Sequence, residues 1–294
     1  MTLPPAAPDR PRQRPQMSSS ARPSTYPVAA RDESGAVVDI AIAGEHPLTV
    51  YVDRREILTL MTLGAAPEAL VLGYLRNQRL VERLEDVLAI HVDWEVNAAS
   101  VTTRDGLVDL DARLERRTKT TGCGSGTVFG DLMADIEAIR LLPRGQLRQS
   151  TLYRLADLVR RHETIYKQAG AVHGCALFSA AAELRYFVED VGRHNAVDAI
   201  AGMMWLDDIE GADHIFYTTG RLTSEMVIKA AQMGIPCLVS RSGVTEMGFR
   251  LAREVGMTLI GRAVNRRFLI LHDPGRFVYD VEASTPAPAT DQGV

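Results

Sequence analysis

The sequence predicts an α/β core over residues 146–282, preceded by a smaller α+β part over 34–145, and three observations carry that prediction. Downstream of residue 173, short apolar runs alternate with helical periodicity, the pattern of parallel strands joined by crossover helices. Upstream, the order is strand, strand, helix, strand, strand, ending in a glycine-rich segment around Cys123. Both ends change composition. Residues 1–33 are rich in Pro, Arg and Ser and lack the apolar stretch of a secretory signal, and 283–294 are Pro- and Ala-rich, so both are expected to be disordered arms.

Strands are expected at 37–42 and 48–52, joined across Gly44, Glu45, His46 and Pro47. A helix over 67–80 follows from a Pro-Glu start and the stripe Ala69, Leu70, Leu72 and Leu75. Strands at 87–92 and 97–102 complete the first part, and a helix is expected over 131–140. Beyond Pro143, Ser150 or Thr151 can cap a helix whose Leu152, Leu155, Leu158 and Val159 share a face. A hairpin then pairs 175–179 with 184–188, turning near Ala181 and Ala182. Helices at 195–206, 223–233 and 245–255 alternate with strands at 214–217, 236–239 and 258–260, and a last strand covers 268–271.

At 294 residues and 46% hydrophobic, the chain can bury a substantial core. A net charge of −4 argues against a general nucleic-acid or membrane-surface binder, and no apolar run reaches the ~18–20 residues of a membrane-spanning helix. The three cysteines, Cys123, Cys175 and Cys237, are too sparse for a disulfide framework and suit a reducing cytoplasm.

Four stretches carry possible chemistry. Cys123 stands among Gly122, Gly124 and Gly126 and follows the basic residues Arg116, Arg117 and Lys119. Glycines present the thiol on an accessible main chain, and cationic neighbours favour the nucleophilic thiolate. The bland alternative is a glycine-rich hinge that contains a cysteine. Two strand-to-helix turns, Thr219–Gly220–Arg221 with Ser224, and Ser240–Arg241–Ser242 with Thr245, each offer glycine, hydroxyls, an arginine and a helix N-terminus. Such turns at the carboxyl ends of parallel strands suit phosphate, although ordinary capping would use the same residues. A third stretch, Glu189 to Asn195, crowds charged groups at another junction: Arg193 and His194 could hold an anion with Asp190 orienting one of them, or form a capped helix with a surface ion pair. The fourth is Arg262, Ala263, Val264, Asn265, Arg266 and Arg267, a basic turn in solvent or a rim that clamps phosphate. His173 with Cys175 and Cys237 loosely echoes a zinc-deaminase pattern, but Cys175 stands where the proton-shuttling Glu belongs and Ser240 where the last ligand belongs. Cys175 and Cys237 are expected to be buried and inert, and no metal is expected.

Taken together, these motifs resemble the FdhD family, the formate dehydrogenase accessory sulfurtransferases. The resemblance runs from about Val37 to Leu271 and is most specific at Glu189-Asp190-Val191-Gly192-Arg193-His194-Asn195-Ala196. It implies a cytidine-deaminase-like layered core without zinc, usually as a homodimer. It also implies a role in passing persulfide sulfur from a cysteine desulfurase to the molybdenum cofactor, as molybdopterin guanine dinucleotide, needed by formate dehydrogenase. On that resemblance Cys123 is the persulfide cysteine and Arg262–Arg267 the cofactor stretch; from the residues themselves, Gly220, Arg221, Ser240, Ser242, Arg193 and His194 are expected to join in holding the cofactor. The chain departs from the family pattern in three places: Gly126 stands at the second cysteine of the loop, Arg262 and Val264 replace an aromatic and an arginine, and Gly243 to Glu246 replace a family tetrapeptide. Two other readings stay open: a non-catalytic chaperone for the molybdenum cofactor, and a phosphate-ligand enzyme using Asp190, Arg193 and His194.

Overall fold

The computed structural model describes residues 13–107, 136, 139–141 and 146–281. Its architecture is mixed α/β, with a five-stranded and a six-stranded sheet on either side of shared helices.

The six-stranded sheet has the order β10 (Leu184–Asp190), β9 (His173–Ser179), β11 (His214–Thr218), β12 (Cys237–Ser240), β13 (Thr258–Val264) and β14 (Arg267–His272). The alternation expected from the sequence does give parallel pairing, but only among β11, β12 and β13. The flanking pairs β10/β9, β9/β11 and β13/β14 are antiparallel, because two of them are hairpins and carry no crossover helix. Side chains alternate across the sheet. Ala176, Phe178, Ile215, Tyr217, Val239 and Ile260 face one side and pack with Leu152, Leu155 and Val159 of helix α2 (Gln149–His162). Cys175, Leu177, Phe216, Leu238 and Leu259 face the other, against α4 (Arg193–Leu206), α5 (Ser224–Gln232) and α6 (Glu246–Val255).

The second sheet has the order β1 (Gln16–Met17), β6 (Val87–Asp93), β7 (Ala98–Thr103), β4 (His46–Val52) and β5 (Arg55–Thr62). Helix α1 (Pro67–Asn77) starts on a proline, whose missing N–H belongs to a turn that has no intrahelical acceptor for it. The helix lies between this sheet and α4. Where it crosses α4, Gly73 and Gly202 bring the two backbones together: a Cβ on Gly73 would stand 1.7 Å from the carbonyl oxygen of Asp198, and one on Gly202 would stand 2.1 Å from that of Ala69.

Several expectations need correction. The arm expected to be disordered through residue 33 contains β1, parallel to β6, and β2 (Thr25–Arg31), antiparallel to β3 (Val37–Ala43). The cross-strand apolar pairs Tyr26/Ile42 and Val28/Ile40 form that ribbon, and Arg14 pairs with Asp207 at 3.2 Å. The strand at 37–43 therefore pairs with β2, while β4 pairs with β5 and β7. Strand β5, together with the short helix α3 (Ile165–Ala169), had no expected counterpart. Of the helix expected at 131–140, only Ile136, Ile139 and Arg140 fall among the described residues. No helix among the described residues is long and apolar enough to cross a membrane.

Candidate functional site

The strand register brings the candidate residues to one edge. Asp190 lies opposite His173, Cys175 opposite Thr218, and Thr218 opposite Ser240, while Arg262 sits just beyond, in the irregular last part of β13 before its turn into β14. Chain direction puts the carboxyl ends of β10, β11, β12 and β13 on this edge, where open α/β sheets gather ligands.

At its centre, three arginines act on His173. Burial, followed by the positive fields of Arg193, Arg241 and Arg221, holds the imidazole below its ordinary pKa. Arg193 is 5% exposed, and its side chain lies over Gly220: a Cβ there would stand 2.6 Å from Arg193 Cδ. Glycine at 220 is thus required by close approach of a side chain. Thr219 Oγ1 accepts from the amide of Gly174 at 3.0 Å and lies 3.5 Å from His173 Nδ1. Arg241 pairs with Glu163 at 2.9 Å and stacks over the Tyr166 ring at 4.9 Å, while Arg221 is exposed. Two of the three guanidiniums are held by the fold, Arg193 over Gly220 and Arg241 against Glu163 and Tyr166, and such a cluster beside an imidazole of lowered pKa suits an anion.

The two turns that look alike in sequence are used differently. Ser240 is fully buried; its hydroxyl donates to Gly220 O at 2.6 Å and accepts from Ser242 N at 2.9 Å, so it shapes the loop. Thr245 Oγ1 accepts from Gly248 N at 3.2 Å and caps α6. The turn before α5 has no such closure: Thr223 is at the N-cap, makes no capping bond, and its buried hydroxyl has no partner among the described residues. Of the two turns, only the second closes its helix start with a side-chain bond. A parallel bridge between Leu222 and Val244 ties the turns together.

The expectation that Asp190 orients Arg193 or His194 is not met. Its Oδ2 accepts from Thr62 Oγ1 at 2.6 Å and Leu63 N at 3.0 Å, and its Oδ1 from Gly192 N at 2.9 Å and Asn195 Nδ2 at 2.8 Å. Asn195 also donates to Met61 O at 2.6 Å. Burial raises the Asp190 pKa, opposed by those hydrogen bonds. Glu189 accepts from the backbone amides of Thr164, Ile165 and Tyr166 and so caps α3. The most specific run in the sequence thus holds the two sheets and α3 in register and leaves Arg193 at the edge.

His194 turns away into the interior. Its Nε2 lies 3.3 Å from Glu225 Oε2, within a buried cluster in which Lys229 Nζ meets Asp198 Oδ2 at 2.8 Å and Glu225 Oε1 at 3.5 Å. Asn77 of α1 donates to Asp198 at 2.7 Å. Burial lowers the His194 pKa to about 3, so the ring is neutral. His194 therefore supports the edge from beneath.

The Arg262–Arg267 turn reaches a different neighbour. Arg262 N donates to Ser242 O at 2.8 Å, which ties the turn to the edge. Ala263 is buried; Val264, Arg266 and Arg267 are exposed. Asn265, at φ 56°, suits the tight turn and accepts from Arg160 at 3.1 Å, and Arg266 stacks over Tyr153 of α2 at 5.6 Å. Cys123 and its loop lie outside the described residues. Cys175 and Cys237 are buried as expected, and burial pushes both thiols up to about 12. Glu163 and Tyr166 were not anticipated, because Glu163 meets Arg241 across 78 positions of chain and no local motif marks it.

The sequence matches the FdhD/NarQ family over residues 43–278. It is 30% identical over 236 residues to the sulfur carrier protein FdhD of Listeria monocytogenes serotype 4b, covering 79% of this chain and 90% of that protein. It is 29% identical over 281 residues to the sulfur carrier protein FdhD of Xanthomonas euvesicatoria, covering 92% and 98%. Among solved structures it is similar to a candidate formate dehydrogenase accessory protein from Desulfotalea psychrophila, with a TM-score of 0.69, 26% identity, and coverage of 86% of this chain and 98% of that one. Since the match runs from the end of β3 to β15 (Phe277–Val278), which pairs with β8 (Leu147–Arg148), and takes in every strand of the two large sheets except β1, the chain belongs to the FdhD/NarQ family.

Proposed function

We propose that this protein is a sulfur carrier for formate dehydrogenase. It takes persulfide sulfur from a cysteine desulfurase onto Cys123 and delivers it to the molybdenum cofactor, as molybdopterin guanine dinucleotide, held at the carboxyl edge of the six-stranded sheet. The observation that carries this reading is the convergence of Arg193, Arg241 and Arg221 on His173, beside an uncapped helix start. A dinucleotide needs charge for its phosphates; Arg193 and Arg221 supply it, with Arg241 held in place by Glu163, while Asp190 is bonded to Thr62 and Asn195.

In the first step the Cys123 thiolate attacks the outer sulfur of the donor persulfide. A new S–S bond forms on Cys123, the donor S–S bond breaks, and the donor cysteine leaves as thiolate. Gly126 in place of a second cysteine means that Cys123 carries the sulfur without a neighbouring thiol to form a disulfide. The cytidine-deaminase-like character of the core, the homodimer and the cytoplasmic setting belong to the same reading.

Labelled sulfur presented by a cysteine desulfurase should load the native chain and not Cys123→Ala; equal loading of both would sink the carrier role. Gly126 also feeds a second reading, a chaperone that holds the cofactor without handling sulfur. If Cys123→Ala fully restored formate dehydrogenase activity in cells lacking this protein, the chaperone reading would replace the first.

A further inference from the structure

The basic turn at 262–267 joins a second positive surface that runs along α2, away from the arginines around His173. Tyr153, Arg154, Asp157, Leu158 and Arg161 line one side of a groove of about 490 Å³, and Arg266 closes the other. Asp157 is occupied by Arg160, which also binds the turn through Asn265. Among the described residues neither Arg154 nor Arg161 has a carboxylate partner, and Arg266 meets only the Tyr153 ring. Clustering unpaired arginines on one face of a chain with net charge −4 leaves a local field that an opposite charge would relieve.

We propose that this groove docks an acidic segment of a protein partner. Arg154 and Arg161 lie seven residues apart on one helix, so their Cα atoms are separated by about 10 Å. Carboxylates three residues apart on a segment in the polyproline II conformation, which has three residues per turn, fall on one side at a comparable spacing of about 9 Å. Leu158 and Tyr153 give the floor apolar area for the side chains between them. A long polyanion such as nucleic acid would extend past this patch onto a surface whose overall charge is negative. At its far end α2 runs into Glu163, the partner of Arg241, so a segment bound along the helix leads up to the sheet edge.

The test uses the full chain and a fluorescein-labelled ten-residue polyglutamate, followed by fluorescence anisotropy at low salt. Native protein should bind it, Arg154→Glu/Arg161→Glu should bind about tenfold more weakly or worse, and Arg154→Gln/Arg161→Gln should fall between. Both positions are exposed, so the helix and its thermal unfolding should be retained. Arg221→Ala, at the sheet edge, should bind the peptide as native protein does. Equal binding by native and charge-reversed protein would overturn the proposal. So would displacement of the peptide by an equimolar amount of GDP, which would assign the groove to the cofactor, or tighter, variant-sensitive binding of a ten-nucleotide single-stranded DNA.

Discussion

Replacing Lys229 by Met removes a cation that meets both Asp198 and Glu225 in the cluster beneath the site. Lys229 and Asp198 are each 2% exposed and Glu225 7%, so water cannot substitute for the lost ammonium. Asp198 keeps its bond from Asn77 at 2.7 Å but loses the contact at 2.8 Å, and Glu225 loses one at 3.5 Å. Removing one partner of a buried pair typically costs about 3–5 kcal/mol, well above the gain from a better-packed methionine. At roughly 2–4 °C per kcal/mol for a chain of this size, thermal unfolding should drop by about 10 °C. The pH dependence follows from the sign of the Asp198 shift. Burial already raises its folded pKa above the unfolded value, opposed by Lys229, and loss of Lys229 raises it further. A raised carboxylate pKa is a penalty that is full above the folded pKa and relieved as pH falls through it. The deficit of Lys229→Met, measured by urea unfolding, should therefore be larger at pH 7.5 than at pH 5, and Asp198→Asn in the same chain should recover part of it. A loss below about 1 kcal/mol would refute the reasoning, because it falls in the range of a surface substitution. So would a deficit that does not change with pH.

Gly220→Ala introduces a Cβ 2.6 Å from Arg193 Cδ and must displace that side chain; GDP affinity by calorimetry should fall about tenfold or more, with a stability loss of about 1–3 kcal/mol. His194 has a folded pKa lowered to about 3 from 6.5, so the unfolded chain takes up the proton first: its contribution to stability is complete above pH 6.5 and is lost as pH falls toward 3. His194→Gln should flatten that acid limb in urea midpoints recorded between pH 7 and 4, with little change in GDP affinity at pH 7.5; an unaltered acid limb would contradict the assignment.

Strand–helix alternation made the core readable because each element there buries a face, and burial imposes a period on the sequence. Strand β3 was readable, but its partner β2 was not: Tyr26 and Val28 alternate with Pro27 and Ala29 in a proline- and arginine-rich stretch, and their pairing with Ile42 and Ile40 is decided outside the local window. Strand β5 was hidden for a related reason, since Arg55 follows β4 after two turn residues, Asp53 and Arg54, both at positive φ, with no Gly or Asn to announce the hairpin. At the site, glycine, arginine and hydroxyl residues beside helix starts were visible as types. Their allocation was not, because Ser240 bonds Gly220 and Asp190 bonds Thr62 across the fold. Sequence motifs name donors and acceptors; which of them remain for a ligand is known only after the fold has used its share.

The paired glycines at the α1–α4 crossing have a consequence for motion. With Gly73 and Gly202 in backbone contact, and Asp190 bonded to the end of β5, the two large sheets have no layer of side chains between those helices that could slide or tilt. The pair therefore behaves as one rigid frame, and α4 presents Arg193 from a fixed support. Adjustment during delivery then falls outside that crossing, which acts as a template that the cargo has to fit.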